Sequence, residues 1–158
     1  MTCDRYFDDL LSDYTDKSPF PLDPDCGGRP GIAESTLRLS ELAARFSCPV
    51  SAAAAAVFAY AVSRFTFSRD VVFTASEEGR LFPVRTDCGG KSAEEFVSSV
   101  SVALRNASAA GASFSQEDFE HYDIGQDVVF GELRTGDRIN LSFSSDGDSV
   151  RLYHSARI

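Results

Sequence analysis

Residues 51–76 read SAAAAAVFAYAVSRFTFSRDVVFTAS, and the fold class turns on them. From Ala52 to Phe65 the segment is apolar on nearly every side of a helix, the pattern of a helix buried against several neighbours. Its consecutive alanines let other backbones approach closely. Ser51 is read as the N-cap, its hydroxyl accepting from a free first-turn amide. After the charged turn Arg69-Asp70, the run Val71-Val72-Phe73-Thr74-Ala75 is β-branched and aromatic. That is the pattern of a buried strand.

On the N-terminal side a helical pattern runs from Ser35 through Leu37, Leu39, Leu42, Ala43 and Phe46, and Pro49 stops it. Before it, Asp13 to Gly31 holds Pro19, Pro21, Pro24, Pro30, Gly27, Gly28 and Gly31, and so reads as an extended connection. Phe20 and Leu22 place that connection on the core. Asp4 to Ser12 reads as a short helix, with Tyr6, Phe7, Leu10 and Leu11 to one side.

On the C-terminal side Leu81 to Thr86 reads as a second strand, weakened by Pro83. Ser92 and Glu95 form a capping box ahead of a helix that aligns Phe96, Val97, Val100, Leu104 and Ala107, with Gly111 as its stop. The last third reads as three strands: Asp127 to Phe130, Arg138 to Phe143 and Ser149 to Tyr153. Asp146-Gly147 is a hairpin turn between the last two. The expected architecture is α+β, with helices on one face of a mixed, mainly antiparallel sheet that ends in a meander. One domain is expected over 1–158, with 1–31 as an extended lead-in and 32–158 as the core.

Length and composition set bounds on function. A chain of 158 residues with 43% hydrophobic content, thirteen Phe and five Tyr is one domain or one lobe of something larger. The net charge of −9 argues against nucleic acid, since the arginines stand singly and form no basic stripe. The longest apolar run, Ala52 to Val62, is about half of a membrane span. The N-terminal Met1-Thr2-Cys3-Asp4-Arg5-Tyr6 has no apolar core and is no secretory signal. A soluble, cytoplasmic protein is expected, with no membrane partner. Cys3, Cys26, Cys48 and Cys88 include no Cys-x-x-Cys pair, so zinc spacing is absent and free thiols are expected, a disulfide being the alternative.

No catalytic, cofactor-binding or metal-ligating residue stands out. His121 and His154 are the only histidines, and neither is marked by a neighbouring nucleophile. The adjacent pairs Asp8-Asp9, Glu77-Glu78 and Glu94-Glu95 point in different directions on a helix or a strand, so they read as solvated surface. Gly89-Gly90-Lys91 lacks the earlier glycine of a phosphate loop.

The order of segments resembles the second lobe of nonribosomal peptide synthetase condensation domains, which belong to the chloramphenicol acetyltransferase-like acyltransferases. Tyr6-Phe7-Asp8-Asp9-Leu10-Leu11 and Pro19-Phe20-Pro21-Leu22-Asp23-Pro24-Asp25 look like the opening of that lobe. Leu42 to Val50 and the helix to Phe67 resemble its paired helices. Arg69 to Ala75 resembles its central strand, with Glu78-Gly79-Arg80 as the Gly-Arg that follows. Phe82-Pro83-Val84-Arg85 looks like the end of its Asn-Thr-Leu-Pro-Leu-Arg strand. Ser115-Gln116-Glu117-Asp118-Phe119-Glu120 is a degraded His-Gln-Asp-x-Pro-Phe-Glu.

The departures are specific. The family's His-His-x-x-x-Asp-Gly belongs to the first lobe, and no His-His occurs here. The loop that the family carries between Arg80 and Phe82 is missing. The resemblance therefore implies a partial or shortened lobe with an architectural role, packing on an adenylation or peptidyl carrier domain. It implies no cofactor of its own, phosphopantetheine arriving only on a partner carrier domain. Half an acyltransferase, completed by a homodimer or a separate first lobe, is the alternative. An unrelated α+β interaction domain is the third reading, and it requires that the alanine-rich helix not lie on the strand 71–75.

Overall fold

The computed structural model describes residues 3–15, 21 and 28–156. Its elements in chain order are α1 (Cys3–Leu11), β1 (Gly31–Thr36), α2 (Leu39–Arg45), α3 (Val50–Thr66), β2 (Asp70–Glu77) and β3 (Arg80–Asp87), then α4 (Ala93–Ala109), α5 (Gln116–His121), β4 (Val128–Gly131), β5 (Leu141–Asp146) and β6 (Ser149–His154). The six strands form one sheet in the order β1-β6-β5-β4-β2-β3. The fold is α+β on a mixed sheet. Phe20 and Leu22 lie outside the described residues.

The alanine-rich helix does lie on the sheet. Ala52 through Ala56, Phe58, Ala59 and Val62 of α3 are buried. The Phe58 ring sits 5.5 Å from that of Phe73 on β2, 5.7 Å from Phe130 on β4 and 5.6 Å from Phe143 on β5. Strand register puts those three side chains on one face: Phe73 opposes Val84, Ala75 opposes Phe130, and Phe130 opposes Phe143. Alanines supply close backbone approach around the one buried ring of α3, which anchors the helix over three strands.

Four expectations are corrected. Gly31–Thr36 is a strand, and the helix after it starts at Leu39, not Ser35. β1 is an edge strand exposed along almost its whole length, so no buried face wrote an alternating pattern into its sequence. Pro49, not Ser51, is the N-cap of α3, and it makes no side-chain cap bond. Its backbone (φ −60°, ψ 149°) suits helix entry, and its carbonyl accepts from Ala52 and Ala53 at 3.0 and 3.1 Å. The second strand of the last group starts at Leu141 rather than Arg138, because Asn140 is held by Asp127 through both its amide and its side chain. Finally, the last three strands are not a meander: β4 runs parallel to both β2 and β5, and only β5 and β6 form a hairpin. The crossover 132–140 is shorter than the dozen or so residues usual for parallel neighbours. It holds to the sheet through the Arg134 amide, which donates to Ser142 Oγ at 2.8 Å.

Arg80, Leu81 and Phe82, between which the family's loop was expected, run straight on within β3, and a two-residue turn joins β2 to β3. Glu77 opposes Arg80, and the turn residues Glu78 and Gly79 both have positive φ, 51° and 77°. Those signs match a type I′ hairpin, whose twist suits the flanking strands.

Arg85 fastens α1 to the sheet. It opposes Val72, so it stands on the face away from Phe73. Its Nε and Nη2 donate to the Asp70 carboxylate at 2.9 and 2.7 Å, and its Nη1 donates to the Leu10 carbonyl at 2.7 Å and to Asp13. The two carboxylates hold the guanidinium above its ordinary pKa, Asp70 contributing most. Asp13 is largely exposed and adds little, so the energy rests on Asp70 and the carbonyl. Arg85→Ala is expected to cost about 2–3 kcal/mol in urea unfolding, and amide exchange in α1 should speed up before the rest of the chain.

Two helices carry complete capping boxes. Ser92 Oγ accepts from the Glu95 amide while the Glu95 carboxylate accepts from the Ser92 amide at 2.8 Å. Ser115 and Asp118 do the same for α5, where the Ser115 amide donates at 2.7 Å. These amide bonds hold Glu95 below its ordinary 4.5 and Asp118 below 3.8. A lowered folded-state pKa stabilises the fold above the unfolded value and is lost as pH falls through the folded one. Thermal stability is therefore expected to drop as pH falls below 4.5 and on through 3.8. Glu95→Gln with Asp118→Asn should flatten that decline, measured by circular dichroism melts.

Candidate functional site

The histidines stand on separate elements. His121 is exposed in the last turn of α5, its ring centroid 4.9 Å from Tyr122. His154 ends β6, half-buried, with Nδ1 3.2 Å from the Ser155 carbonyl oxygen. The paired carboxylates serve structure: Glu77 takes Arg80 and the Ser108 hydroxyl, Asp8 takes the Tyr122 hydroxyl, and Glu95 caps α4. The Gly89-Gly90-Lys91 loop is filled by its own carboxylate, since Asp87 accepts from the Gly89 amide at 2.9 Å. Ser115, in place of the family's histidine, is a helix cap, and Phe119 packs its ring on Phe114 at 5.2 Å. Among the described residues no group of three His, Cys, Asp or Glu is placed to hold a metal ion.

A concave site lies elsewhere among the described residues. A cavity of about 380 Å³ opens between α2, α3 and α4. Leu42 and Phe46 come from α2, Ala56, Val57 and Tyr60 from α3, and Phe96 and Val97 from α4; Cys88 and Lys91 come from the loop after β3. It exists because α2 and α3 bend through 105° at the Pro49 elbow, so that α4 cannot follow both. No single described helix is long and apolar enough to cross a membrane.

Lys91 lines this apolar surface, and Arg45 and Arg69 pack on residues in or next to its lining. The Arg45 guanidinium lies over the Phe46 ring at 5.5 Å, and the Arg69 side chain packs where a Gly89 Cβ would be. Arg64 is one turn beyond Tyr60 on α3. Lys91 Nζ donates to the Asp87 carbonyl at 3.0 Å, while the Asp87 carboxylate is 3.9 Å away. An ammonium has three donors, so Lys91 keeps donors for a further acceptor. Inside, Cys88 donates its thiol to the Ala59 carbonyl at 3.8 Å, and burial pushes its pKa up, which keeps it a thiol.

The sequence did not mark this site. Its walls are three segments far apart in the chain, each reading as ordinary helix core. The available signal was Tyr60, a phenol amid alanines, which is 54% exposed. Just past α3, its C-cap Phe67 is 93% exposed at φ 57°, an uncommon place for a bulky residue.

Likeness to solved structures spans the whole chain. The teicoplanin-biosynthesis X-domain, in its complex with OxyB, superposes on 98% of the chain with a TM-score of 0.70 at 19% identity. The fold is that of a condensation-domain lobe. The first condensation domain of the CDA synthetase matches 97% of the chain at 18% identity and TM-score 0.68. The nonribosomal peptide synthetase FmoA3 matches 98% at 12% identity and TM-score 0.75. The lobe spans 47%, 45% and 23% of those chains respectively, in accord with the single second lobe implied by its motifs. No family model matches the chain, and no curated protein matches it.

Proposed function

We propose that this chain is a partial condensation lobe of a nonribosomal peptide synthetase or related amino-acid-activating enzyme, and that it serves as a structural and interaction module. The observation that carries the reading is a closed lobe, cored on Phe58, that covers only 47% and 45% of the X-domain and condensation-domain chains it matches. Its partners are a neighbouring adenylation or peptidyl carrier domain. It binds no cofactor itself, and phosphopantetheine reaches it on the carrier. A solved chain of similar fold, the teicoplanin X-domain, is found in a complex with OxyB, which supports docking as a use of this fold. Tyr60 and Phe67 offer exposed aromatic surface for such contacts.

The test is a condensation assay on the full chain with carrier-bound donor and acceptor, beside His121→Ala. No product is expected from either. Product that depends on His121 would overturn the proposal. The half-length span also favours a second reading, half an acyltransferase completed by another lobe. That reading predicts product when a first lobe carrying the His-His motif is added, and it fails if none forms.

A further inference from the structure

We infer that the pocket between α2, α3 and α4 binds a free medium-chain carboxylic acid, with its alkyl chain inside and its carboxylate at Lys91. This goes beyond the proposed interaction role and does not rest on it.

Size selects the chain length. A water-sized group takes up about 30 Å³, so a cavity of about 380 Å³ holds roughly a dozen such groups. Nine carbons and a carboxylate match that, and the volume falls at the small end of ligand cavities, about 300–1,000 Å³. The walls are apolar: Leu42, Phe46, Val57, Phe96 and Val97, with the Cys88 thiol already bonded to Ala59. They provide no buried polar group that a polar ligand would need.

Charge selects the head. Lys91 lines the mouth and has donors to spare. Of the carboxylates beside the lining, Asp87 accepts from Gly89 and lies by Lys91, and Glu95 accepts from Ser92, while Glu94 is exposed in the first turn of α4. A carboxylate therefore meets the remaining donors of the Lys91 ammonium. A cationic head meets the like charge of that ammonium.

The probe is sodium decanoate enriched in ¹³C at the carboxylate, titrated into the full chain and followed by its carboxylate resonance. Saturable one-to-one binding is expected. Hexanoate should bind far more weakly, since each methylene is worth about fourfold in affinity. Lys91→Glu should weaken decanoate by about tenfold. Ala93→Trp, at an exposed position on the lining, should close the mouth with the circular dichroism spectrum unchanged. Bound decanoate should slow maleimide alkylation of Cys88 and leave Cys48, which is not in the lining, unaffected. Absence of saturable binding would overturn the inference, as would decyltrimethylammonium binding as tightly as decanoate, or Ala93→Trp leaving decanoate affinity intact.

Discussion

Phe58→Ala is expected to lower the unfolding free energy by about 3–5 kcal/mol, enough to remove most of a small domain's stability. Phe58 is 3% exposed and touches the rings of Phe73, Phe130 and Phe143. Its neighbours along α3 are mainly alanines, which are too short to move into the void. The three contacted rings come from three strands, and two of them, Phe130 and Phe143, stack on each other at 6.0 Å. The cavity therefore opens where helix and sheet meet. Phe58→Leu should cost about a third as much, because most of the volume stays filled. Urea titration by far-UV circular dichroism measures both. A loss below about 1 kcal/mol for the alanine variant would mean that α3 is not anchored through this ring.

Gly131→Ala is expected to destabilise by at least about 3 kcal/mol or to prevent folding. At the end of β4 Gly131 opposes Ser76 of β2, and its φ is 114°, outside the range of L-residues. A Cβ there would lie 2.3 Å from the Ser76 carbonyl oxygen, a backbone atom that cannot swing aside. That carbonyl also accepts from the Glu132 amide at 3.2 Å, and Ser76 Oγ donates to the Glu132 carboxylate at 2.8 Å. Arg134 Nε donates to the same hydroxyl at 3.1 Å. Close approach of β4 to β2 is what starts the crossover toward β5, so the substitution strikes the parallel core of the sheet. As a control, Gly136→Ala pairs a positive φ of 127° with open space around the added methyl. It should cost less than Gly131→Ala, and the difference isolates the clash with Ser76.

Much of the fold was legible along the chain. The α3–β2 pair was read from the continuous apolar run that several-sided burial requires, and the α4 cap from Ser92 and Glu95, whose bonds are local. Strand β1 was not legible, because an exposed edge strand buries no face and needs no pattern. Nor was the parallel placement of β4. Strand direction is set by how the crossover 132–140 returns over the sheet, through Asn140 on Asp127 and Arg134 on Ser142, and none of those contacts is local in sequence.

The site divides the same way. Sequence alone determined what this chain lacks as a motif, the His-His of the family's first lobe, and it determined the order of segments that resembles the second. Only the tertiary structure decided where a ligand has room. A pocket is the space left over when α2, α3 and α4 cross at angles their own residues do not encode. Lys91, read along the chain as part of an incomplete phosphate loop, became the mouth of an apolar cavity because α4 starts against the bend between α2 and α3.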